Sequence, residues 1–374
     1  MKFNAPAKWL LYRWLARRRR VSGKPCRPVG IYKADRLGDF VLALGAIRRI
    51  VDREGAENCL LILAPHAREL ARREFPTVEQ ATVEPWHSGL GPLLRYRKEH
   101  AEDPLFRHGV GRLVCLRHNR LFQENVVCGS IPANETWGAV SGEPSRERGQ
   151  WIASLPFDHV YRSFPEAPGE PRDLVRHRTV VGGILGTRLD PVDVIPKMAW
   201  HGTVGEPFVA VSPFGSAAIR DFPPGLLAAA GHRLWRDDRL PLRLLAPPGD
   251  VDRYQRLSDE LVAKGVPQVS VRTCSSLDDL IDAVAASRLV LSVETATAHL
   301  AGALNRPLVA LLGGGHFGWF APWHRSARQR WITHPVPCYG CNWVCTQSEP
   351  ICLTGISALA IEGAVDEALE ASDR

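Results

Sequence analysis

The residues with chemistry to offer sit at a few turns. The first is in VGIYKADRLGDFVLALGAIRRI, residues 29–50, where an apolar run breaks into Lys33, Asp35, Arg36, Gly38 and Asp39 before a long apolar helical pattern begins. A carboxylate in the first turn of a helix is favoured by the backbone dipole by about 0.3–1 kcal/mol, so Asp35 or Asp39 could simply cap the helix. Gly38 opens another reading, because a residue without a side chain lets the backbone approach another molecule closely just ahead of the carboxylate.

The second turn is LSVETATAHLAGAL, which puts Glu294, Thr295, Ala296, Thr297 and His299 where a buried strand becomes a helix. Free N–H groups at a helix start suit an anion, phosphate above all. Thr295 or Thr297 serves equally as an N-cap, and His299 equally as a satisfied core histidine. The third is VSPFGSAAIRDFP, with Gly215, Ser216 and a lone Arg220. Its guanidinium suits two-pronged contact with phosphate oxygens, or else a surface ion pair. Asp250 and Asp252 follow another strand end, LAPPG.

Gly313, Gly315 and Gly318 spell the glycine pattern of a dinucleotide site, but Pro322 in FGWFAPWH bars the long helix that pattern requires. A substrate loop carrying Gly315, His316 and Trp319 is expected instead, against a glycine turn whose aromatics merely cover the core. Cys338, Cys341, Cys345 and Cys352 are spaced C-x2-C-x3-C-x6-C. Four such thiolates can close around one tetrahedral ion, leaving no open position for substrate. A structural zinc or iron is the expectation, against four unmetallated thiols.

Elements that place these turns alternate along the chain. VGIYKA, CLLILAP and RLVCLRH read as strands, with HARELARRE and DLVRHRTVVGGIL as helices, and GSIPANETWGAVSGEPSRERGQW reads as irregular. Further on, FVAVSPFG, LPLRLLAPP, QVSVRT, RLVLSV and PLVALLGG alternate with four helical patterns, and ISALAIEGAVDEALEAS closes as a helix. Apolar runs without alternation, separated by helices, describe parallel sheets covered on both faces. The division expected is a basic amphipathic segment over 1–25, one α/β domain over 26–190, a proline-bearing linker over 191–206, a second α/β domain over 207–352 and a final helix over 353–374.

Composition narrows the classes. The chain has 374 residues and a formal net charge of +7. Lys2, Lys8, Arg13, Arg17, Arg18, Arg19 and Arg20 account for all of it, leaving 40 cations against 40 acids in residues 21–374. A nucleic-acid groove over the body is therefore excluded as a reading. No apolar run reaches the roughly 20 residues that cross a bilayer. Residues 1–20 set Phe3, Ala7, Leu10, Leu11 and Trp14 on one helical face, as an interfacial helix at an anionic membrane would. Capping of the protein's own core is the competing reading. Arg13 interrupts the apolar part of this segment, so a secretory signal is not expected and a cytoplasmic chain is.

Taken together, KADRLGDFVLALGAI, SPFGSAAIRDFP, ETATAHLAGALNRPLVALLGG and CYGCNWVC…CLTGIS resemble glycosyltransferase family 9, the heptosyltransferases. The resemblance implies a GT-B fold, two Rossmann-like doubly wound domains facing a cleft, with no catalytic metal. It implies transfer of a sugar with inversion, heptose from ADP-heptose being typical, onto a saccharide, lipid-linked or protein acceptor. The family's Arg/Lys-x-Asp-Arg-x-Gly-Asp pattern is matched by Lys33, Asp35, Arg36, Gly38 and Asp39, which gives Asp39 the role of base. Arg220 and the N–H groups of Thr295 to Ala298 would receive the departing diphosphate. His299 matches a family histidine, and Asp250 or Asp252 would take the ribose. Glu294-Thr295-Ala296 departs from the family's Asp-Thr-Gly, and GGGHFGWFAPWH departs from its Gly-Pro-Thr-Asp turn. The competing reading is a non-catalytic nucleotide-sugar-binding subunit. The expected place is the cytoplasm, at the inner face of the membrane.

Overall fold

The computed structural model describes residues 19–84, 90–117, 122–141, 157–165 and 170–373. The amphipathic segment expected over 1–25 lies outside the described residues through position 18. The chain divides into two compact units, Met1–Glu166 with Arg172–Val194, and Ala167–Pro171 with Ile195–Arg374.

The first unit is built on β1 (Arg27–Lys33), β2 (Cys59–Leu63), β3 (Glu79–Thr82), β4 (Val110–Cys115), β5 (Ala133–Ser141) and β6 (His159–Ser163). All pair in parallel in the order β3-β2-β1-β4-β5-β6. Its described helices are α1 (Leu37–Glu54), α2 (Arg68–Glu74), α3 (Leu90–Glu99), α4 (Pro104–His108), α5 (Phe122–Ser130) and α6 (Arg172–Leu185). Every residue of β2 is buried, because helices cover both faces of a parallel sheet. On α1, Phe40, Leu44 and Ile47 recur at helical spacing and are fully buried, each contributing about 1.5–3 kcal/mol. The order reverses between β1 and β4, and that reversal opens a crevice at the strand ends.

One expectation fails here. The stretch read as irregular contains β5, nine residues long. Pro132 and Gly138 give it turn chemistry locally, yet pairing with β4, Leu113 opposite Thr136 and Val114 opposite Trp137, makes it a strand. The polar strands β3 and β6 were also unread, since each lies at a sheet edge where burial leaves no apolar signature.

The second unit repeats the plan with β7 (Val209–Ser212), β8 (Leu242–Ala246), β9 (Val269–Thr273), β10 (Leu289–Val293), β11 (Leu308–Leu311) and β12 (Gln329–Ile332). The order is β12-β11-β10-β7-β8-β9, which reverses between β7 and β10. Helices α7 (Pro224–Asp238), α8 (Val251–Ala263), α9 (Leu277–Ala286), α10 (Ala296–Ala303), α11 (Ile351–Thr354) and α12 (Ala358–Asp373) complete it. Ile361, Val365, Ala368 and Leu369 of α12 belong to the same core as Val209, Leu291 and Leu311, so the final helix is part of this unit. Among the described residues no helix is long and apolar enough to cross a membrane.

Candidate functional site

In the second unit the reversal between β7 and β10 brings two of the predicted turns together. Arg220 Nη2 donates to the Glu294 carbonyl oxygen at 2.7 Å and to its carboxylate Oε2 at 2.6 Å. Nη1 donates to Ser216 Oγ at 2.8 Å. The guanidinium lies 5.1 Å from the ring centre of Trp343, a cation–π placement. Trp323 Nε1–H donates to His299 Nδ1 at 3.0 Å, so the neutral ring carries its proton on Nε2. That nitrogen lies 3.3 Å from Glu294 Oε1 and donates to it. His316 Nδ1 stands 3.8 Å from Oε2, beyond hydrogen-bond distance, while its Nε2 is 3.1 Å from Asn342 Oδ1. Burial opposes ionisation of Glu294, but the His299 bond, the His316 ring and the Arg220 charge outweigh it and hold the carboxyl at about 2.

Helix α10 begins at once, with Thr295 as its N-cap. The Thr295 side chain makes no capping bond; its Oγ1 lies 3.2 Å from Ser292 Oγ. Ala296 and Thr297 follow in the first turn, Thr297 buried. Asp250 and Asp252 are exposed at the start of α8, beyond the end of β8. The sequence offered two readings of Arg220, a two-pronged anion contact or an ion pair, and the structure shows an ion pair with Glu294. Both two-pronged edges of Arg220 include Nη2, and Glu294 takes both of its hydrogens.

Glycines explain how Trp343 reaches this place. A Cβ on Gly313 or on Gly315 would run into the Trp343 indole. After β11 the chain makes a short 3-10 turn, Gly314–His316, as the rejection of a dinucleotide helix requires. Gly340 N and Asn342 N donate to the Gly314 and Gly315 carbonyls at 2.8 and 3.1 Å, clasping the cysteine segment to that turn.

In the first unit the opening motif forms a buried charge cluster. Lys33 Nζ donates to the Leu116 carbonyl at 3.0 Å and pairs with Asp35 at 3.0 Å and Asp173 at 3.3 Å. Burial works against the ammonium, yet Asp173, Asp35 and Asp39 raise its pKa above the ordinary lysine value. Arg117 pairs with the other oxygen of Asp35 at 3.1 Å. Asp35 is therefore an ion-pair member rather than a cap, and Arg36, exposed, holds the N-cap position of α1 without a side-chain bond. Gly38 and Asp39 lie in the first turn, Asp39 half-buried.

Residues 206–342 match the family model described as glycosyltransferase family 9 (heptosyltransferase). No curated protein matches the chain. Among solved structures it is similar to an E. coli heptosyltransferase with ADP-2-deoxy-2-fluoro heptose, at 17% identity and TM-score 0.63, covering 91% of this chain and 99% of that one. Similar too is E. coli ADP-heptose lps heptosyltransferase II, at 16% identity and TM-score 0.61, covering 92% and 99%. A glycosyl transferase family 9 structure from Veillonella parvula gives 12% identity and TM-score 0.68, covering 94% and 99%. At these identities the likeness speaks to the fold, and the two parallel six-stranded sheets are those of GT-B.

The expectation of a structural metal at the four cysteines is not met. Cys338, Cys341, Cys345 and Cys352 line the wall of a cavity of about 230 Å³ together with Pro335, Pro337 and Pro350. One tetrahedral ion needs four sulfurs each about 2.3 Å from its centre. Among the described residues, no group of three or more His, Cys, Asp or Glu side chains is gathered to hold a metal ion. The segment's visible work is to seat Trp343 beneath Arg220, with Cys352 turned into the core.

Residues the sequence reading missed are Arg117, Asp173 and His177 in the first unit, and Trp323 and Trp343 in the second. His177 Nε2 faces the Leu116 carbonyl at 3.0 Å, and burial drives its pKa down to about 4. Asp173 and His177 are four apart on α6, so their pairing was available from helical spacing within DLVRHRTVV. Nothing in the spacing of the tryptophans signals their contacts.

Proposed function

We propose that the chain transfers a sugar with inversion from a nucleotide-diphosphate sugar, ADP-heptose first among donors, to a saccharide, lipid-linked or protein acceptor. The observation that carries this reading is the Arg220–Ser216–Glu294–His299 constellation at a strand-order reversal, inside the segment that matches family 9. Reversals of this kind are where open parallel sheets bind ligands. The names of the E. coli structures, with ADP-heptose and its 2-fluoro analogue as their ligand class, support that choice of donor.

In this reading the diphosphate lies against the N–H groups of Thr295 to Ala298 and the Arg220 guanidinium, where preorganised donors stabilise charge developing on the leaving oxygens. Asp250 or Asp252 takes the ribose hydroxyls. Asp39 accepts the acceptor hydroxyl's proton as that oxygen attacks the anomeric carbon from the face opposite the diphosphate. Lys33, Asp35, Arg36 and Gly38 serve the acceptor side, with Lys33 keeping negative charge at Asp39 favourable. No residue in this scheme requires a metal.

A thermal-shift panel of nucleotide sugars, followed by a transfer assay with the donor that binds, tests the reading. Asp39→Asn should lose transfer by at least about a hundredfold while donor affinity stays within about twofold. Undiminished turnover refutes the base; donor binding with no transfer by the native chain favours the binding-subunit alternative. The basic amino terminus is proposed to bring the enzyme to an anionic membrane surface. Removal of residues 1–20 should abolish sedimentation with phosphatidylglycerol vesicles, and equal sedimentation of both forms removes that part.

A further inference from the structure

The ion pair at the heart of the donor site has a consequence for what the site must give up on binding. Arg220 and Glu294 are largely buried, with side-chain exposures of 13% and 8%, and they neutralise each other. Both Nη2 hydrogens of Arg220 go to Glu294, one to its carbonyl and one to its carboxylate, and Nη1 is engaged by Ser216. The N–H groups left over are Nε–H and one on Nη1, which diverge and cannot grip one phosphate group between them. One further partner ties the carboxylate down, His299 Nε2 at 3.3 Å.

We propose that Glu294 is a specificity-determining residue that acts as a resident counter-ion, occupying on Arg220 the place a diphosphate would take. This rests on the donor-site reading above and reverses the expected sign of one residue in it: Glu294 competes with the donor instead of contacting it favourably. An incoming diphosphate releases the carboxylate from Arg220, and His299 retains it. The site thereby rejects weakly held single anions, since only a ligand with several further contacts compensates for the lost ion pair. The Thr295–Ala298 N–H groups and a sugar supply such contacts for a nucleotide sugar.

Isothermal titration of the full-length protein with inorganic pyrophosphate and with ADP tests the proposal. Glu294→Gln keeps the shape and removes the charge, and it should tighten both ligands about tenfold, or 1.4 kcal/mol. Glu294→Asp, which withdraws the carboxylate by one methylene, should tighten them in the same direction and covers the case in which the glutamine variant does not fold. Adding Arg220→Gln to Glu294→Gln should cancel the gain. Unchanged or weaker pyrophosphate binding in both single variants, or no pyrophosphate binding by any form, overturns the proposal. Tighter pyrophosphate with no response to ADP or any nucleotide sugar upholds the counter-ion and rejects the nucleotide-sugar reading instead.

Discussion

At the scale of single residues, two buried titratable groups should make this protein lose stability in acid. His177 is held neutral, its pKa brought by burial from 6.5 to about 4, with Asp173 only partly offsetting that cost. Its unfolded form binds a proton where the folded form does not, so stability is whole above about pH 6.5 and falls as pH drops toward 4. Glu294 adds a second loss in the same direction, beginning near 4.5 and running down toward 2. Urea unfolding at pH 7, 5.5 and 4.5 should show falling midpoints, and His177→Gln should flatten the portion between 7 and 5.5. A native midpoint that does not move across that range contradicts the neutral, buried histidine. The sequence displayed His299 and Glu294 as site residues because they follow a strand end, while His177 stayed hidden inside a helical pattern.

At the scale of elements, the glycine turn after β11 shows how a loop can serve a guanidinium indirectly. Gly313 and Gly315 admit the face of Trp343, Gly314 and Gly315 carbonyls clasp the segment bearing it, and the indole supports Arg220. Gly315→Ala should push the indole out, destabilise the protein by about 1–3 kcal/mol and weaken pyrophosphate binding, read by urea unfolding and calorimetry. Unchanged stability and binding would mean that Trp343 has another seat of equal quality. The sequence announced this turn through its three glycines and left two readings open, a substrate loop with His316 and Trp319 or a turn whose aromatics cover the core. What the glycines admit is the protein's own tryptophan, twenty-eight positions on from Gly315, a pairing no local pattern encodes. The four cysteines misled for a related reason: metal-like spacing puts all four on the wall of one cavity, yet among the described residues no group of side chains is gathered to hold a metal ion.

At the scale of the whole molecule, each unit owns a core. Val209, Leu244, Leu291, Leu311 and Val365 belong to one cluster, and Tyr32, Ile62, Leu113 and Val127 to another. A fragment comprising residues 195–374 should therefore fold cooperatively and, under the proposed function, bind ADP within a few-fold of the full-length protein. A ligand binding only the folded form at a hundred times its dissociation constant adds about 2.7 kcal/mol, so a melting shift reports it directly. A fragment that neither melts cooperatively nor binds would show that this core is not self-sufficient.

The sequence by itself determined the parallel α/β architecture, the order of most strands and helices, and the positions of the turns at which polar residues collect. It could do so because central strands buried on both faces leave continuous apolar runs, and because helix starts select small and polar residues. The polar edge strands β3, β6 and β12, and β5 within its turn-like surroundings, escaped that logic. Only the tertiary structure decided which charges neutralise one another: Lys33 with Asp173, Arg117 with Asp35, Arg220 with Glu294. Those pairings join residues up to 140 positions apart. They arise from where the strand order reverses, a property of the assembled sheet that no window of sequence contains.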